Sequence, residues 1–372
     1  MPLTFAEASQ LFQSGDLQRL AADPDGLRFL KLRSLSRQEH LAELYRMAGL
    51  ETPPLGAREL FRQAYEDIND PLVIEQCIRA IYEQGRKARR QQEPLLINQL
   101  YRLQEFNWGG LHQNSLEKTI VDNYVKRIRI YEQLCTAVEN ELLTSLRGYV
   151  LCSWYNHWTS IIIEDIFRDH PSVLPAVGLV KQIDFFVGNT PFDLKVTYLP
   201  EGFISDRRRD AALRPELTLL KQMARQHKVP FTPTLAPSQL LPDLWRKIED
   251  HPSEPCQTLI RNLRSFRNEL VESVLRDPTN LIQWLYEQQG IRRFDASNRL
   301  FLILVDQGNY FESWKLKRAK PLLEATIRNY LNGLGQDPGR PITFQWEDGT
   351  IYEVRADLIL VRHNAPANPG GA

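Results

Sequence analysis

Apolar residues recur at three- and four-residue spacing through segments such as Ala57–Ile68 and Asp70–Gln84, between Pro and Gly breaks. That period puts them on one stripe of an amphipathic helix. It persists from the first residue to about position 145 with no alternating run between, so residues 1–145 read as a helical array without strands or internal repeats. Pro53-Pro54 and Trp108-Gly109-Gly110 read as turns inside it. One long helix is expected from near Asn114 to Thr144, and another from Ser145 or Tyr149 to Phe167. The second should stop before His170-Pro171, because a residue ahead of proline is driven out of the helical region.

The pattern then changes. Ile183–Val187, Phe192–Tyr198, Arg299–Val305, Ile342–Trp346 and Thr350–Val361 are rich in β-branched and aromatic residues and bounded by turn formers, as strands are. Helical patterns at Arg214–His227, Gln257–Leu275, Thr279–Gln289 and Pro321–Leu334 lie among them. The expected class is α+β or α/β: a helical domain over 1–145, a central mixed β-sheet flanked by helices over 146–363, and a disordered tail over 364–372.

With 372 residues, 42% of them hydrophobic, the chain can bury a core large enough for two ordinary domains. Its 46 basic and 46 acidic residues cancel, so any hold on nucleic acid must come from local clusters of charge. Cys77, Cys135, Cys152 and Cys256 lie far apart, without the close spacing of a zinc site or a disulfide scaffold, and a reducing cytoplasm fits best. Met1–Gln10 lacks the form of an export leader, and no window reaches the roughly 20 apolar residues of a membrane span. A phosphate-binding glycine loop, a Gly-x-Ser-x-Gly elbow and a metal-type His pair are also missing, which leaves kinase, serine-hydrolase and zinc-enzyme readings without support.

The chemistry concentrates between Lys181 and Thr197. Gly188-Asn189 suits a two-residue hairpin turn and sits between two strand-like runs. Pairing Val187 with Thr190 sets Phe186 against Pro191, Phe185 against Phe192, and Asp184 against Asp193. Directly opposed side chains share a face, and alternation adds Lys195 to that face while sending Phe192, Leu194 and Val196 to the other. Two opposed carboxylates cost a sheet stability, and a bound cation removes the cost. Oxygen ligands with room for water and phosphate suit Mg²⁺. Such an ion polarises a phosphoryl oxygen and acidifies bound water while an amine orients that water, which is the chemistry of phosphodiester hydrolysis. The competing reading is a structural hairpin in which Lys195 merely neutralises Asp193.

These residues resemble the PD-(D/E)xK nuclease superfamily, which includes many type II restriction endonucleases, resolvases and repair nucleases. Asp184 matches the first acidic position and Asp193-Leu194-Lys195 the (D/E)xK tripeptide, with Ile183 where the motif's name has proline. The resemblance implies a restriction-endonuclease-like core, metal binding by Asp184, Asp193 and the Leu194 carbonyl, and a catalytic Lys195. Many members carry a glutamate on the preceding helix, and Glu164 lies at a suitable distance to act as catalytic residue or metal ligand. The motif covers residues 164–197 and leaves 1–145 unexplained. By helical spacing Glu164 shares a polar face with His157, Ser160 and Arg168, which also suits a salt-bridged surface.

Candidate DNA contacts are Arg207, Arg208 and Arg209, then Arg261, Arg264 and Arg267 on one helical face, and Lys315 and Lys317 near a later strand. Local salt bridging explains Arg207–Arg209 equally well, and one of the other two clusters is expected to touch DNA. The run Arg86-Lys87-Ala88-Arg89-Arg90 reads as a solvated helix end. The expectation is a cytoplasmic, Mg²⁺-dependent endodeoxyribonuclease, with Mn²⁺ able to substitute, that cuts double-stranded DNA as a homodimer in the manner of a type II restriction enzyme. The alternatives are a structure-selective or repair nuclease, the cutting subunit of a defence or transposition complex, and a non-catalytic binding or scaffold protein that keeps the fold.

Overall fold

The computed structural model describes residues 2–107, 116–180, 182–288, 297–335, 338–346 and 349–364. The expected turn at Trp108-Gly109-Gly110 and the tail beyond Asn364 lie outside them. Six helices open the chain: α1 (Phe5–Ser14), α2 (Leu17–Ala22), α3 (Pro24–Ser34), α4 (Gln38–Met47), α5 (Ala57–Asp67) and α6 (Pro71–Leu100). Thr4, Asp16, Asp23 and Asp70 cap α1, α2, α3 and α6 with their side chains. The Asp70 carboxylate accepts the Leu72 N–H and Pro71 fills the first helical position, where a missing N–H is harmless. The helix then runs well past the expected Gln84 and carries Pro94 in its interior.

Where one helix was expected from Asn114 to Thr144, there are α7 (Leu116–Ile120), a π-helical turn, a break near Lys126–Ile130, α8 (Tyr131–Ala137) and a second π-turn. The break coincides with Lys126, Arg127 and Arg129 interleaved with the β-branched Ile128 and Ile130, a weak helical run. Helix α9 (Leu143–Arg168) ends as expected before His170-Pro171.

The sheet is mixed and six-stranded, in the order β1 (Val173–Val180), β2 (Ile183–Val187), β3 (Thr190–Tyr198), β4 (Arg299–Asp306), β6 (Ile351–His363), β5 (Arg340–Gln345). β1 to β3 run antiparallel, β3, β4 and β6 run parallel, and β5 returns antiparallel on β6. Strand β1 was not foreseen, because Pro175 and Gly178 break its pattern. As an edge strand it tolerates the proline, and its register shifts between Pro175 and Val180. Between β3 and β4 stand α10 (Glu201–Asp210), α11 (Glu216–Gln226), α12 (Pro237–Glu249), α13 (Glu254–Arg276) and α14 (Thr279–Gln288); α15 (Lys320–Asn332) precedes β5. Asp206–Asp210 is the end of α10, its three arginines in the last turn where cations favour the helix dipole.

Alternate residues of β4 feed opposite sides of the sheet. Leu300, Leu302 and Leu304 pack with α9 and α15, and Phe301, Ile303 and Val305 with α13 and α14. The amino-terminal helices do not form a core of their own, since Leu30, Leu41, Phe61 and Ile78 share one buried cluster with Leu174, Ala176, Val180, Ile183 and Phe186. Gly178 permits that docking. A Cβ there would meet the Ser34 carbonyl oxygen at 2.3 Å, closer than van der Waals contact allows. Gly178→Ala is expected to destabilise the protein by about 2 kcal/mol in denaturant unfolding, through displacement of α3 from β1. Unchanged stability would mean that this contact is not tight.

Candidate functional site

The hairpin forms with the expected register: Val187 faces Thr190, Phe186 faces Pro191 and Phe185 faces Phe192. Gly188 supplies positive φ (56°), while Asn189 is not among the positive-φ residues. Pairing stops there. From Asp193 onward β3 is held by β4, with Asp193 beside Arg299 and Lys195 beside Phe301. The expected Asp184–Asp193 backbone pair is therefore missing from the ladder, because β2 and β3 diverge just before it. That divergence would orphan the Leu194 N–H, and the Asp184 carboxylate accepts it at 2.7 Å. The two acids thus stay within electrostatic reach of one another where the strands part.

Asp193 is buried, with Lys195 Nζ 2.8 Å from one carboxylate oxygen and Arg299 Nε 3.3 Å from the other. Phe192 and Leu194 point away into the core on the α9 side, with Val196 packed against it. Glu164 stands on α9 and binds Arg168 at 2.9 Å, and Arg168 reaches the Asp184 carbonyl at 3.3 Å. Burial pushes the Asp184 carboxyl up to about 6 despite the Leu194 hydrogen bond, and the neighbouring charges of Asp193 and Glu164 push the same way. The sequence-predicted quartet of Glu164, Asp184, Asp193 and Lys195 is therefore one electrostatic unit. Its three carboxylates do not close, as a set, to within 4.8 Å of one another; Arg168 and Lys195 draw two of them aside.

Compared with family models, with curated proteins and with solved structures, the chain finds no match.

Arg299 is a member of this site that sequence reasoning missed, since its partner Asp193 lies 106 positions away. Arg168 was noticed only as a helical neighbour of Glu164. A cavity of about 450 Å³ opens beside Arg168, lined also by Arg37, His40, Tyr82, Arg89 and Asp165. Arg86 and Arg89 are not a solvated helix end. Arg86 is buried against Asp165, Asp169 and Glu93, and Arg89 binds Asp165 at 2.7 Å. These pairs clamp α6 to α9, the helix that carries Glu164.

The eight basic candidates divide by burial. Arg207 and Arg209 bind Asp210 and Asp206 within α10, and Arg261 and Arg264 bind Glu254 and Glu249. Lys315 pairs with Glu312 at 2.6 Å. Arg208 is buried against the Arg214 carbonyl and the Phe266 ring. Lys317 is buried too, donates to Asn156 at 2.9 Å, and is pushed down to about 8 by that burial. Arg267 is 1% exposed and held by both Glu201 and Glu216 amid Trp245, Tyr310 and Phe311. A DNA phosphate cannot reach it there, so the face expected to join Arg261, Arg264 and Arg267 is broken by burial. Arg267→Ala is expected to cost about 3 kcal/mol in thermal unfolding by leaving two glutamates unpaired, with any DNA affinity of the folded variant within twofold of the parent. Lost affinity at unchanged stability would reverse that assignment.

Proposed function

We propose that the chain is a metal-dependent endodeoxyribonuclease of the PD-(D/E)xK type, with its active site where β2 and β3 diverge. The observation that carries this reading is the placement of Asp184, where β2 and β3 part, within electrostatic reach of Asp193 and Glu164, with its carboxyl held well above the ordinary carboxylate range. A fold gains nothing from burying a carboxylate beside two others, whereas a divalent cation offsets that cost. The order of elements favours it too: a helix bearing Glu164, an antiparallel β1–β3 unit, then β4 parallel to β3.

Asp184, Asp193 and the Leu194 carbonyl would hold Mg²⁺, with Glu164 directly or through water. When bound, the ion supplies charge stabilisation to a phosphoryl oxygen and acidifies a water. Lys195, half-buried and now paired with Asp193, would turn from that carboxylate to orient the attacking water and stabilise the developing negative charge. Arg299 would keep Asp193 fixed while it does so. The cavity beside Arg168, lined also by Arg37 and Arg89, is where the amino-terminal helices would meet a phosphate backbone. Double-stranded DNA as substrate, restriction as the task and a homodimer as the working form belong to the same proposal.

The test is incubation of purified protein with plasmid DNA and Mg²⁺ or Mn²⁺. Cleavage that disappears with EDTA and in Asp193→Ala supports the reading. No cleavage of any duplex, branched or single-stranded DNA, or cutting that survives Asp193→Ala, overturns it. Discrete fragments assign restriction, and preference for ends or branches assigns repair. No helix among the described residues is long and apolar enough to cross a membrane.

A further inference from the structure

We infer that His227, His251 and Cys256 form a zinc site, separate from the carboxylate cluster, that pins α11, α12 and α13 together. A ring nitrogen of each histidine and the Cys256 sulfur all lie within 4.8 Å of one another, and among the described residues no other such set of His, Cys, Asp and Glu does. Each ligand comes from a different element. His227 caps the end of α11, His251 follows α12, and Cys256 sits in the first turn of α13. Lys228 at φ 55° turns the chain sharply just after His227.

The chemistry of the set points to zinc. One thiolate and two imidazoles are borderline-to-soft donors that Mg²⁺ does not favour. Around tetrahedral zinc such atoms stand about 3.3–3.8 Å apart, so the three need only draw together by about 1 Å. The Ser253 hydroxyl lies 3.0 Å from His251 Nδ1 and 3.2 Å from His227 Nδ1, and the Ser253 N–H donates to the same His251 nitrogen. Both Nδ1 atoms therefore converge on the Ser253 hydroxyl, and His251 Nδ1 is unprotonated because it accepts the Ser253 N–H, a bond it would have to exchange for the ion to ligate zinc. Ser253 or water would complete the tetrahedron. Cys256 is wholly buried and is not in a disulfide, and it lies in the apolar cluster of Leu220, Leu244, Ile248 and Ile260 that the ion would tie. The sequence hid the site because His227 and His251 stand 24 positions apart.

The experiment strips the full-length protein with chelator and titrates it with Co²⁺ and then Zn²⁺. The expected result is one equivalent bound, a thiolate-to-cobalt charge-transfer band with intense tetrahedral d–d bands, displacement by Zn²⁺, and a melting temperature raised by several degrees. The bands should vanish in Cys256→Ser, and cobalt affinity should fall at least tenfold in His227→Gln, a residue only partly buried whose replacement is gentler on packing. Absence of a cobalt–thiolate band from the folded parent, or its persistence in both variants, overturns the site. Neither result bears on Mg²⁺-dependent cleavage, which Asp193→Ala tests independently.

Discussion

Lys195→Ala is expected to lower the rate of DNA cleavage at saturating Mg²⁺ by about a thousandfold or more, some 4 kcal/mol of transition-state stabilisation, while leaving the fold almost untouched. The asymmetry follows from the geometry. Lys195 is half-buried, and its removal leaves Asp193 still paired with the buried Arg299 at 3.3 Å, so the lost ion pair should cost less than about 1 kcal/mol in unfolding. A lysine present only to neutralise Asp193 would give the reverse: measurable destabilisation with cleavage intact. Single-turnover cleavage beside thermal melting separates the two. DNA affinity, read by fluorescence anisotropy in Ca²⁺, should change by no more than a few-fold. Cleavage within tenfold of the parent would remove the lysine from the chemistry.

What could be read from the sequence was what local rules govern. The hairpin at Gly188-Asn189, the three cross-strand pairs and the burial of Phe192 and Leu194 follow from alternation and a two-residue turn, and all are present. The fourth pair failed because a register argument assumes that two strands stay together. They separate at Asp193, where β4 captures the backbone of β3, and Asn298 accepts the Asp193 N–H. The carboxylates still share a site, through the Asp184–Leu194 hydrogen bond instead of a ladder.

Long-range pairings were out of reach. Nothing near Arg86 in sequence reveals Asp165 and Asp169, and nothing near Arg267 reveals that Glu201 and Glu216 will close over it. Both arginines read locally as surface charge, and both are buried. Strand β1 was lost for a different reason. Pro175 and Gly178 look like breakers, yet one sits on a sheet edge and the other is where the α3 backbone comes closest.

Asp184→Asn should abolish cleavage and at the same time make the metal-free protein more stable. Burial, with Asp193 and Glu164 adding to it, pushes this carboxyl up to about 6 from an ordinary 3.8. Between those values the unfolded chain is ionised while the folded one keeps the proton. The stability contributed by protonated Asp184 is therefore complete below 3.8 and is lost as pH rises through 6. At pH 7 to 8 the folded protein carries a buried charge that it would be more stable without, by roughly 2–3 kcal/mol. Asparagine keeps an oxygen for the Leu194 N–H and removes the charge. Metal-free Asp184→Asn should thus unfold at higher denaturant than the parent at pH 7.5, with the difference shrinking towards pH 4. Mg²⁺ should stabilise the parent and not the variant, since a cation binds only where the charge remains. Parent cleavage at limiting Mg²⁺ should rise about tenfold per pH unit below 6 and then level off. A variant less stable than the parent at pH 7.5 would show that Asp184 is held in place by its charge, and the case for a site strained in readiness for a cation would fall with it.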